Sequence, residues 1–173
     1  KDQTGYAYVY RKTVRLSKNQ LILEHSLKNT GSKPIETSQY NHNFFVIDGR
    51  PTGPEFVVRF PFELESARAL GELAQVRGSE LIYLKELQKG QSVFTELKGF
   101  GPSARDYDIR IENRKAGAGV RIVGDRPLSK VVFWSIGTTV CPEPYIDLQV
   151  KPGGQAQWRI RYEFYTLADK GSD

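Results

Sequence analysis

Period-two alternation of apolar and polar residues dominates the chain. Tyr6, Tyr8 and Tyr10, followed by Val14 and Leu16, share one face of an extended segment. After the polar turn Ser17-Lys18-Asn19-Gln20 the alternation resumes at Leu21, Leu23 and Leu27, which predicts a β-hairpin. A turn cluster at residues 29–34 leads into residues 35–47. That run becomes continuously apolar after Asn43, as a strand buried on both faces would, and it stops at Asp48-Gly49. Glycines and prolines punctuate residues 50–54. Strand chemistry then restarts at Phe56-Val57-Val58-Arg59-Phe60, with Pro61 closing it or placing it at an edge. Residues 63–76 carry helix formers, with Leu64, Ala67, Leu70 and Leu73 at near-helical spacing, and predict one short helix weakened by Gly71.

Further short strands are predicted around 80–86, 92–99, 107–113, 119–124, 130–136, 144–150 and 156–165. Residues 107–113 and 119–124 flank a glycine-containing connection and form a second hairpin. Many short strands at regular spacing point to an all-β sandwich or barrel with at most one short helix. Neither a repeat nor a linker divides residues 1–173, so a single domain is expected.

Composition narrows the function classes. The chain has 173 residues, 39% of them hydrophobic and 26% charged, which is ordinary for a globular protein and unlike a disordered one. Its longest apolar runs, such as Val131-Val132-Phe133-Trp134, are far shorter than the roughly twenty residues of a membrane helix. The net charge of +5 invites a nucleic-acid reading. However, the cations alternate with acids, as in Arg110-Ile111-Glu112, and only Arg11, Lys12 and Arg15 cluster, so a solvated mixed-charge face is expected and no nucleic-acid or membrane partner. The chain starts at Lys1 and contains no methionine, which suggests a processed end or a piece of a longer chain; the compartment, cytoplasmic or exported, stays open.

Candidate chemistry is sparse. His25 is in phase with the apolar positions of its strand and reads as a packed histidine. His42 lies between Asn41 and Asn43, polar amides able to fix its tautomer, and ahead of an anchoring Phe44-Phe45. Two separated histidines and the single cysteine, Cys141, do not form a recognisable metal-ligand spacing, so no metal or other cofactor is expected; Cys141 reads as a small buried hydrophobe. Glu143 stands between Pro142 and Pro144 in what reads as a rigid connection, where it is either a solvated loop residue or a positioned general base. Trp134 either fills core or stacks on a sugar face.

Three segments in order resemble the galactose mutarotase-like superfamily, the aldose 1-epimerases and hexose-6-phosphate epimerases. They are Leu21 through Gly31 with its Asn-Thr-Gly ending, Asn41-His42-Asn43-Phe44-Phe45, and Cys141 through Gly153 followed by Trp158 and Tyr162-Glu163-Phe164. The resemblance implies an antiparallel β-supersandwich. It also implies that Glu143 is the base taking the anomeric hydroxyl proton and His42 the acid protonating the ring oxygen, on opposite sides of a monosaccharide or sugar phosphate. Asn41 would belong to the same wall, and Trp134 is a further substrate-binding candidate if it stacks on the sugar rather than filling core. Opening a cyclic hemiacetal needs only such an acid and base, with no cofactor. Family members are longer, and their N-terminal part supplies a further histidine and arginine; no matching segment precedes Lys1, so part of the pocket is expected to lie outside this chain. Residues 50–90 match no family motif. A catalytically silent carbohydrate-binding domain of the same fold is the alternative, and a structural sandwich that binds a protein partner is a third.

Overall fold

The computed structural model describes residues 3–167, through which thirteen strands run. They are β1 (Tyr8–Ser17), β2 (Gln20–Asn29), β3 (Ile35–Gln39), β4 (Phe56–Arg59), β5 (Glu65–Ser66), β6 (Ala74–Arg77), β7 (Glu80–Tyr83), β8 (Ser92–Lys98), β9 (Asp108–Asn113), β10 (Ala118–Gly124), β11 (Lys130–Ile136), β12 (Thr139–Val150) and β13 (Gln155–Thr166). An eight-stranded sheet runs β1-β2-β13-β10-β9-β4-β7-β6 and a five-stranded sheet runs β3-β12-β11-β8-β5. Every pairing is antiparallel. One 3-10 turn, Ala104–Asp106, is the helical element among the described residues.

Alternation builds the core. Ile109 and Ile111, Val120 and Ile122, and Ile160 and Tyr162 point inward from the larger sheet, against Val131, Phe133, Ile146 and Leu148 of the smaller one. Complete burial of a side chain such as Phe133 stabilises the fold by about 1.5–3 kcal/mol. Both expected hairpins form. The first pairs Ser17 with Gln20 across Lys18-Asn19, with Lys18 at φ 53, the positive-φ geometry that matches strand twist. The second pairs Asn113 with Ala118, and Gly117 takes φ 61 in the turn. Opposite charges pair between strands and beyond, Arg15 with Glu24, Arg121 with Asp108, and Arg59 with both Glu80 and Glu112.

Three expectations are corrected. Residues 63–76 form no helix: Leu64 N–H donates to Gly78 and Ala67 N–H to Glu96, so donors that a helix needs internally serve sheet edges, and Gly71 sits at φ +63. The leucines at helical spacing, Leu64, Leu70 and Leu73, still pack on the core from an extended path. The run 35–47 is not one buried strand: β3 ends at Gln39, and Phe44 and Val46 are each 58% exposed. Glu143 lies inside β12 rather than in a connection, and it is buried. Strand β1 also departs from the half-buried pattern, because all ten of its residues are exposed at the rim of the larger sheet.

Candidate active site

Two prolines create the site. The ladder between β3 and β12 runs from Val150↔Ile35 to Ile146↔Gln39 and then stops. It resumes for one bridge at Phe45↔Val140, six residues further along each chain and therefore in the same register. At that bridge both backbone bonds form, Phe45 N–H to Val140 at 3.0 Å and Val140 N–H to Phe45 at 3.1 Å. By alternation the missing donors between the two stretches are the N–H groups of residues 142 and 144. Both are prolines, which have none. Residues 40–44 consequently leave the sheet's hydrogen bonding while staying alongside β12.

In that register Tyr40, His42 and Phe44 fall opposite Tyr145, Glu143 and Cys141, at the non-hydrogen-bonded positions where cross-strand side chains approach most closely. The contacts follow. Tyr40 stacks on Tyr145 with ring centroids 4.2 Å apart. His42 Nδ1 meets Glu143 Oε1 at 2.5 Å, with the Glu143 side chain 8% exposed and that of His42 41% exposed. Tyr145 donates a long hydrogen bond of 3.5 Å to Glu143 Oε2. Cys141 Sγ lies 3.6 Å from His42 Nδ1 and 3.9 Å from Glu143 Oε1. Burial, then the Glu143 carboxylate, push the Cys141 thiol up to about 12, with a hydrogen bond to the Asn43 backbone acting in the other direction. Burial, then Tyr40, likewise raise the Tyr145 phenol above its ordinary range.

The alternate residues turn to the other face. Asn41 and Asn43 both donate to the Tyr162 hydroxyl, at 3.1 and 2.7 Å, and Gln39 donates to the Asn41 side-chain oxygen at 2.9 Å. Tyr162 is a buried residue of β13 in the opposite sheet, so His42 is held between two amides anchored to the core. The Asn41 amide is thus engaged within the protein. Trp134, which pairs with Cys141 across β11 and β12, stands outside the buried core, 5.8 Å from the His42 ring and 5.8 Å from Phe44. Phe44 packs edge-on against His42 at 4.7 Å.

The structure therefore brings His42 and Glu143 together, with Trp134 beside them. It does so in direct contact rather than across a cleft, which corrects the expectation of groups on opposite sides of a sugar. Chain separation had also counted against a ligand set, yet donor atoms of His42, Cys141 and Glu143 lie within 4.8 Å of one another. Sequence reasoning missed Tyr40, Tyr145, Tyr162 and the Cys141 contact. The signal was present in the pairing of Asn-His-Asn with Pro-Glu-Pro, whose alternations match in phase. His25 lies elsewhere: buried, stacked on Trp158 at 4.8 Å and 3°, with Nδ1 2.7 Å from the Tyr10 hydroxyl.

No protein-family model matches the sequence, and no curated protein matches it. Solved structures do match in fold. The GalM/aldose epimerase homologue of C. elegans superposes with TM-score 0.65 at 15% identity, over 96% of this chain and 67% of its own. A galactose mutarotase related enzyme of Lactobacillus acidophilus gives TM-score 0.64 at 18% identity, over 95% and 63%. A galactose mutarotase-like protein of Clostridium acetobutylicum gives 0.64 at 14%, over 94% and 57%. The chain has the galactose mutarotase-like β-sandwich fold and spans between about half and two thirds of the length of these proteins.

Proposed function

We propose that the chain is the part of a mutarotase-like enzyme that carries its acid–base pair, acting on a free aldose or a sugar phosphate. The observation that supports this most is the His42–Glu143 contact on a partly open, aromatic-lined sheet face of a galactose mutarotase-like fold. In the proposed reaction the sugar lies over the pair. Glu143 accepts the O1 proton while His42, as an imidazolium, gives a proton from its outer nitrogen to the ring oxygen, and the ring opens with neutral Glu143 and neutral His42. Rotation about C1–C2 and the reverse transfers close the other anomer and restore both groups, so protons balance over the cycle. The Nδ1–Oε1 contact couples the two transfers, and Trp134 and Phe44 offer apolar faces to the sugar. The Asn41 and Asn43 bonds to Tyr162 keep the imidazole in place.

Polarimetry of freshly dissolved anomers of glucose, galactose and glucose 6-phosphate tests this. The expected result is equilibration faster than the uncatalysed rate with at least one sugar, falling about 10²- to 10⁴-fold in Glu143→Gln. A rate equal to buffer with all three, or one unaltered by Glu143→Gln, contradicts the reading. A second reading, a glycan-binding domain without activity, is favoured by the closed His42–Glu143 contact and by exposed Phe44 and Phe94 on the same sheet face. It predicts saturable saccharide binding with no acceleration.

A further inference from the structure

Three metal-ligating side chains converge at one point of this sheet face. Cys141 and Glu143 are two residues apart on β12 and project to the same side, and the interrupted ladder delivers His42 onto them. Bond lengths of about 2.0–2.3 Å put the donors of a tetrahedral zinc site about 3.3–3.8 Å apart. The Sγ–Nδ1 and Sγ–Oε1 separations, 3.6 and 3.9 Å, are already close to that spacing. Nδ1 and Oε1, at 2.5 Å, need to part by about 1 Å, on the side where His42 is exposed.

We propose that His42 Nδ1, the Cys141 thiolate and one Glu143 carboxylate oxygen form a site for a borderline-soft divalent cation, zinc above all, with a fourth position open toward solvent beside Phe44 and Trp134. The donors suit that ion: thiolate and imidazole select zinc over magnesium or calcium, and three protein ligands leave one position for water. Support beyond the ligands is in place, since the Asn43 backbone hydrogen-bonds the sulfur and the Tyr162 clamp fixes the residues on either side of His42. Binding displaces the thiol proton, and any proton held on His42 Nδ1 or the Glu143 carboxylate, to solvent, with no change of oxidation state. The ion occupies His42 Nδ1 and a Glu143 oxygen, so the imidazole cannot become the imidazolium that the proposed ring opening needs and the carboxylate is no longer free as its base; the loaded protein cannot shuttle protons. That consequence rests on the ring-opening reading, whereas the binding does not.

Titration of the reduced, metal-free chain with Co²⁺, followed by absorption, tests the site. The expected result is saturation at one ion per chain, with a thiolate-to-cobalt charge-transfer band and the intense visible bands of tetrahedral cobalt, both removed by added Zn²⁺. Cys141→Ser should lose the charge-transfer band while keeping its circular dichroism. His42→Ala, at a partly exposed position, should weaken binding at least tenfold, and it serves as the test if the serine variant does not fold. Absence of saturable binding, a charge-transfer band that survives Cys141→Ser, or unchanged affinity in His42→Ala would overturn the proposal. Cobalt binding by a chain inactive on every sugar refutes the ring-opening reading alone; an active chain that binds no cobalt or zinc refutes this one alone.

Discussion

The two histidines differ in sequence context, His25 in phase with the apolar positions of its strand and His42 between two amides, and they occupy opposite physical situations in the fold. His25 is on β2, in unbroken ladders with β1 on one side and β13 on the other, and its ring is buried against Trp158 and hydrogen-bonded to Tyr10 of β1. His42 sits where two prolines remove the ladder's donors, and its ring is half exposed above a buried carboxylate. Continuous pairing on both sides holds His25 against its cross-strand neighbours; interrupted pairing leaves His42 half exposed while keeping it in register. What distinguishes the two regions is therefore the hydrogen-bonding capacity of the partner strand more than the local hydrophobic pattern.

Several measurements sharpen or break that contrast. The largest stability effect should come from the packed side. Trp158→Ala removes the platform under His25 and should cost about 3–5 kcal/mol in urea unfolding; a loss under 1 kcal/mol would mean that the His25 region is not core. Next comes pH. Burial, then the nearby Lys12, lower the His25 imidazole from 6.5 to about 4, so its neutral form is the native one. The unfolded chain takes up the proton first, so this contribution is complete above about pH 6.5 and is lost as pH falls toward 4, up to about 3 kcal/mol. His25→Phe should flatten that slope in unfolding curves recorded across the range, and an unchanged slope would assign it to other groups.

On the site side the effects on stability are smaller. Tyr162→Phe strands the donors of Asn41 and Asn43 and should cost about 1–2 kcal/mol. It should also slow sugar equilibration several-fold, whereas Tyr10→Phe, which removes the His25 partner, should leave the rate alone. Equal effects of the two substitutions on the rate would erase the distinction between the regions. Smallest is the expected response of the prolines. Pro142→Ala with Pro144→Ala supplies two N–H groups facing residues 43 and 41, and the ladder should extend through 40–44. Amide exchange there should slow, and exchange unchanged from wild type would show that something other than the missing donors interrupts β3.

How much of this could be read beforehand varied with the range of the interaction responsible. The hairpin of β1 and β2 was legible because alternation and a polar turn are local, and so was the all-β sandwich. Residues 63–76 were misread because leucines at near-helical spacing can also pack from an extended path once Gly78 and Glu96 supply the backbone partners. His42 and Glu143 were both singled out, but their contact was not foreseen, because it depends on the register between segments about a hundred positions apart. Glu143 was assigned to a connection on the strength of its prolines. Those prolines instead lie within a strand, with their missing donors turned to an edge that residues 40–44 leave unpaired. Cys141 was correctly read as buried, yet burial beneath His42 also makes it a neighbour of the His42–Glu143 contact.

The most direct test of the account is a double-mutant cycle on the rate of anomer equilibration, with His42→Ala, Glu143→Gln and the two combined. If the touching imidazole and carboxylate act as one relay, the double variant should be about as slow as the slower single variant. Losses that simply multiply would contradict a coupled pair and leave two groups working independently on an all-β scaffold.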